Sequence, residues 1–139
     1  LTSLEFAGST ASTDFNLSLV ELPLISDLST LPDFTNLQGL FIRELDLLTD
    51  LSGLENLSSI QFSLQLLEND NLQNLNGLTA DFGLSSNTIL RFFENPSLQS
   101  IDGALNFLGM NNVSHSIYIE GNTSLVNLNG LQQWSRLPE

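Results

Sequence analysis

Apolar residues return along this chain in a pattern that repeats five times. Blocks of fifteen residues open at Leu17, Leu40, Leu64, Leu90 and Ile117 and share the form L-x-L-x-x-[NL]-x-x-L-x-x-L-x-G-L without a gap. The first block places Leu17, Leu19, Leu22, Ile25, Leu28 and Leu31 at the shared offsets, and the second places Leu40, Ile42, Leu45, Leu48, Leu51 and Leu54. In the three later blocks asparagine takes the third apolar position, at Asn69, Asn95 and Asn122. A glycine column runs through Gly53, Gly77, Gly103 and Gly130. Self-similarity at this period is the mark of a repeat architecture and outranks any element-by-element reading.

The opening L-x-L of each block puts two apolar side chains on one face of an extended segment, as a strand requires. The spacing then becomes three, which drifts off the face of a 3.6-residue helix and does not fit a strand, so the chain is expected to turn corners there. Glycine just before the last leucine suits a corner that needs positive φ. Asn69, Asn95 and Asn122, held in register between buried leucines, are expected to point inward and bond the backbone of adjacent coils; an inward amide left unpaired would cost about 1–3 kcal/mol. No single coil buries enough apolar surface to offset the backbone entropy of ordering it, so stacking must supply the stability. The predicted fold is mostly β: a solenoid with one parallel sheet of about five to six short strands and irregular loops on the other faces.

One domain is expected over 1–139. Residues 1–16, with Leu1, Leu4 and Ala7 at the closing offsets of a repeat, read as the end of a partial repeat, and 132–139 with Trp134 as a C-terminal tail or cap. The connections between blocks lengthen from nine positions to ten, twelve and thirteen, so variation is expected on the back face. The longest insertion, 106–116, carries Asn111, Asn112 and His115.

Composition narrows the function. The chain has no lysine and no cysteine; Arg43, Arg91 and Arg136 face sixteen carboxylates, for a net charge of −13. Nucleic acid is excluded as a partner on this balance, since binding it rests on cations at phosphate. No apolar run approaches the roughly 20 residues of a spanning helix. His115 is the only histidine and has no cysteine or second histidine with which to build a zinc site. The stretch Glu68-Asn69-Asp70-Asn71 has a calcium-like composition but lacks the glycine and closing glutamate of an EF-hand loop. No cofactor is expected, calcium being the one ion the composition leaves open, and no catalytic residue is assigned.

The residues at this point resemble a known family, the leucine-rich repeats, over about residues 17–131. The run from Ile117 to Leu131 is similar to the variant found in receptor L domains, whose repeats read I-x-I-x-x-N-x-x-L-x-x-L-x-G-L. The resemblance implies an extracellular or cell-surface setting and a binding, adhesion or structural role. The cysteine-rich modules that flank receptor L domains are absent, and Leu22 and Leu45 stand where that variant prefers asparagine.

The strand residues between and after the buried leucines are expected to face solvent, in rows Ser18, Phe41, Gln65, Arg91, Tyr118 and Val20, Arg43, Leu67, Phe93, Glu120. The next column is Glu21, Glu44, Glu68 and Glu94. Glutamates standing roughly 5 Å apart repel by about 0.8 kcal/mol per pair in water, a cost Arg43 and Arg91 can relieve from the adjacent columns. Phe41, Phe93 and Tyr118 with Val20 and Leu67 predict an exposed apolar stripe beside them, the mark of a contact surface. The binding-face candidates are therefore Phe41, Arg43, Glu44, Leu67, Glu68, Arg91, Phe93, Glu94, Tyr118 and Glu120. Sequons stand at Asn16, Asn56, Asn112 and Asn122; Asn122 belongs to the inward ladder and is expected to carry no glycan, and Asn112 is the preferred acceptor.

The expected function is recognition of a protein or glycan through the strand face, without catalysis. One alternative is a structural subunit that self-associates through the solenoid ends into a filament or layer. A remote alternative is a carbohydrate-active β-solenoid, in which two carboxylates at a set spacing do acid and base work.

Overall fold

The computed structural model describes residues 15–82, 87–102, 106–107 and 114–131. The partial repeat at Leu1, Leu4 and Ala7, the insertion residues Asn111 and Asn112, Gly103, and the tail with Trp134 lie outside the described residues. What is described is a parallel β-solenoid of five stacked coils. Their main strands are β1 (Asn16–Val20), β2 (Asn36–Arg43), β3 (Ser59–Leu67), β5 (Asn87–Phe93) and β7 (Ser114–Glu120). Two short strands, β4 (Asp81–Phe82) and β6 (Asn106–Phe107), complete the sheet.

The register follows the repeat read from the sequence. Leu17 pairs with Leu40, Leu40 with Leu64, Leu64 with Leu90, and Leu90 with Ile117, all parallel. We number the coils 1 to 5 from these residues. The inner leucines of coils 1 to 4 form one apolar core in which Leu28, Leu37, Leu40, Ile42, Leu64, Leu66 and Phe92 are fully buried.

The spacing of three corresponds to successive tight turns. A backbone N–H returns to the carbonyl three residues earlier at Ile25, Leu48, Leu72, Leu98 and Leu125, and again at Leu31, Leu54, Leu78 and Leu131. A second device recurs between them. Asp27, Asp50, Asn74, Ser100 and Asn127 each accept the backbone N–H two residues on, always at 2.9 Å. Such side-chain turns fold the backbone locally in place of a helix or strand ladder. In coil 1 the Ser29 hydroxyl also donates to Asp27, and this bond, then the Ser29 N–H, hold the Asp27 carboxyl below its ordinary value.

Glycine is required at the corner for two reasons. Gly53 and Gly77 have φ of 107° and 91°. A Cβ on Gly77 would lie 2.3 Å from the Leu51 carbonyl oxygen. Gly130 lacks the positive φ its column predicts, yet a Cβ there would lie 2.0 Å from the Ile101 oxygen. Close approach to the preceding coil is thus the demand common to the three.

The sheet forks at β3. Ser59 and Ile60 pair with β4, which pairs with β6, whereas Ser63 to Leu67 pair with β5, which pairs with β7. Along the chain, residues 83–86 separate β4 from β5 and residues 108–113 separate β6 from β7. The growing connection length is therefore taken up where the chain enters the strand face, and the turn corners keep a constant length. His115, expected in the long insertion, instead belongs to β7 opposite Thr88, because the strand resumes at Ser114.

Candidate functional site

Each strand ends in an unexpected backbone conformation. Glu21, Glu44, Glu68 and Glu94 have φ of 55°, 56°, 55° and 52°, and Gly121 fills the same position in coil 5 at 72°. Left-handed backbone is costly for a residue with a Cβ. The conformation turns each glutamate N–H onto the next coil, where it donates to Arg43, Leu67, Phe93 and Glu120 carbonyls at 2.8–3.3 Å. The glutamate column is thus the point where the sheet hands over to the corner.

The inward asparagines stand directly behind it. Asn69 and Asn95 are fully buried. Asn69 accepts the Leu45 N–H at 3.2 Å and donates to the Ile42 carbonyl at 3.3 Å. Asn95 repeats this one coil on: it accepts from the Asn69 backbone and side chain at 3.2 and 3.1 Å and donates to Leu66 at 2.9 Å. Asn122 accepts from the Asn95 backbone and side chain at 3.1 Å and donates to Phe92 and Glu120 at 2.9 and 3.1 Å. Its amide nitrogen has both hydrogens committed, which leaves none to be replaced by a glycan. Since the Asn69 carbonyl serves Leu45, the Glu68 to Asn71 stretch has lost its second residue as an ion ligand. Among the described residues no group of three or more His, Cys, Asp or Glu side chains converges on a point.

The outward rows hold two different arrangements. Around coils 1 and 2, Arg43 Nη2 lies 3.3 Å from Glu21 and 3.0 Å from Glu44, so this cation joins two rungs of the glutamate column. The pairs are exposed and each is worth about 0–1 kcal/mol. Arg43 Nε is buried with no partner among the described residues.

Arg91 was expected to do the same and does not. Its guanidinium carbon lies 4.8 Å from the centroid of the Tyr118 ring, within cation–π range. Register explains this: Arg91 pairs directly with Tyr118 on the facing strand. Arg91 and Tyr118 line a shallow, open depression of about 310 Å³ together with Leu67, Glu68, Phe93 and Glu120. Six of the ten candidate residues therefore meet at one place on coils 3 to 5. Phe41, Arg43 and Glu44 stand apart on coil 2, and Glu94 is exposed beside the depression.

The expected apolar stripe is not present as such. Leu67 is buried at 9% exposure, Val20, Phe41 and Phe93 are half-buried, and only Tyr118, at 49%, is open. Side chains of adjacent strands at 4.7–4.9 Å spacing cover one another's flanks, which the outward alternation alone does not reveal. The other exposed apolar residues include Leu24 and Leu47 at the turns, Phe62 and Ile89. Coil 5 adds Val126 at 79% and Leu128 at 50%, and these border a second depression with Ile119, Asn122, Leu125 and Asn127. Leu128 was expected inside.

Of the sequons, Asn16 and Asn56 are described outside the core. Asn16 is exposed on β1, and Asn56 donates to Asp33 at 2.7 Å. Among the described residues no helix is long and apolar enough to cross a membrane. No protein-family model, no curated protein and no solved structure matches this chain.

Proposed function

We propose that the chain is a non-catalytic recognition module, a leucine-rich-repeat solenoid of the receptor L-domain type that works in an extracellular or cell-surface setting. It binds a protein or glycan through the outward face of its parallel sheet. The depression lined by Arg91, Tyr118, Phe93 and two glutamates carries this reading. It gathers aromatic, cationic and anionic side chains on rigid strands, and aromatics and arginine are the residues that interfaces favour. Tyr118→Ala is expected to abolish capture of the cell-surface partner while leaving the circular dichroism and melting curve unchanged. Capture at the parent level would remove the strand face from the function.

A second reading is self-association through coil 5, supported by the exposure of Val126 and Leu128. Light scattering across concentration separates the two, since end-to-end contacts do not close by symmetry and mass would grow without a plateau.

A further inference from the structure

The depression on coils 3 to 5 has a charge arrangement that narrows its ligand. Arg91 is held over Tyr118 at 4.8 Å and has no ion pair among the described residues. Arg43, by contrast, is shared between Glu21 and Glu44. The carboxylates of Glu68 and Glu120, on the rim of the same depression, accept no hydrogen bond from any described residue. One open volume of about 310 Å³ therefore presents unspent donors and unspent acceptors together, beside Leu67, Phe93 and the uncovered part of Tyr118.

An anion entering it would meet two glutamates in a chain of net charge −13. A cation would meet Arg91. A peptide recognised through its backbone would need a free strand edge. At Arg91 and Phe93 there is none, because β5 is paired with β3 on one side and β7 on the other; the edge that β7 leaves unpaired among the described residues lies beyond Tyr118 and Glu120, away from Leu67 and Glu68. The occupant that satisfies every group is neutral, carries hydroxyls that both donate and accept, and has an apolar face to lay on an aromatic ring.

We propose that this depression is a saccharide subsite, taking a neutral sugar ring whose hydroxyls bond Glu68, Glu120 and Arg91 and whose C–H face rests on Tyr118 and Phe93. The volume lies at the lower end of small-ligand sites. It suits one or two rings, and the shallow opening makes binding weak, with a Kd of about 1–10 mM. The proposal rests on the strand-face reading above and names its ligand class.

Tyr118 is the only tyrosine of the chain, so incorporating 3-fluorotyrosine yields a single ¹⁹F resonance that reports on this spot. The labelled protein is titrated with neutral tetrasaccharides of glucose, mannose, galactose and N-acetylglucosamine, and separately with tetralysine and with inorganic phosphate. A saturable shift with at least one tetrasaccharide, weakened tenfold or more by Arg91→Met and by Glu68→Gln, is expected. Amide shifts confined to residues 67–68, 91–93 and 118–120 would accompany it, and unchanged shift dispersion elsewhere would show that the variants fold. A resonance unmoved by every tetrasaccharide overturns the proposal. A response to tetralysine or phosphate alone also overturns it, while leaving the strand face standing as a recognition surface for a charged partner.

Discussion

Coils 1 and 2 turn their first corner around a leucine, whereas coils 3 to 5 turn it around an asparagine. Leu45 fills its corner with no exposure, and Leu22 does so half-buried. Asn69 and Asn95 occupy the same column with no exposure either, yet they accept and donate at every available atom. The corner therefore imposes volume on the side chain, and polarity is decided by what the neighbouring coil offers. Each amide serves the coil before it. Asn69 meets the needs of Leu45, so coil 2 needs no amide of its own to satisfy that N–H. The asparagine ladder is directional, and coil 2 is where it stops.

The most damaging way to test this difference is to give coil 4 the residue that coil 2 carries. Asn95→Leu would leave the Asn69 N–H, the Leu66 carbonyl and one Asn122 lone pair without their partner. We expect a loss of about 3–5 kcal/mol in chemical denaturation, since buried groups left unmade cost about 1–3 kcal/mol each. A loss below about 0.5 kcal/mol, typical of surface sites, would show the ladder to be incidental. The reverse exchange should be milder. An asparagine at 45 would face Asn69 much as Asn69 faces Asn95, so Leu45→Asn is expected to cost about 1–2 kcal/mol from lost apolar burial. Leu45→Asp lacks the amide donor and buries a charge, and it should cost clearly more. Equal losses would mean that the corner is not prepared for an amide. The smallest effect concerns the left-handed column, where coil 5 has glycine and the others glutamate. Glu94→Gly should stabilise by about 0.5–1 kcal/mol by relieving the backbone cost. Gly121→Ala should destabilise, because its Cβ would meet Glu94 at 2.8 Å. Thermal melts of the two variants moving in the same direction would refute the assignment of that strain.

Much of this was legible in the spacing alone. The five strand openings, the inward asparagines and the glycine corner follow from apolar offsets that repeat without gaps, and the sheet pairs those same residues. The left-handed glutamates were not, because glutamate gives no sign of positive φ; the signal available was Gly121, which shares their column in the fifth coil. The side-chain turns had a signal too, in Asp27, Asp50, Asn74, Ser100 and Asn127, though a polar residue at a loop offset is too ordinary to single out. The site was legible only as rows. Sequence set Arg91 to relieve the glutamate column, and the facing register placed it over the Tyr118 ring instead. Burial of Leu67 depends on the flanks of both neighbouring strands, which no single repeat contains.

The fork at β3 has a mechanical consequence. Because the turn corners keep their length while the connections lengthen, the coils are unequal in contour, and the asparagine ladder ties coils 2 to 5 together but does not reach coil 1. The steps between aligned residues are 23, 24, 26 and 27 positions along the chain. Pulled from its ends, the molecule would yield coil by coil, coil 1 against less resistance than the coils tied by the ladder, while paying out about 8–9 nm each time, at roughly 3.3–3.6 Å per residue. Length per step would identify which coil had let go.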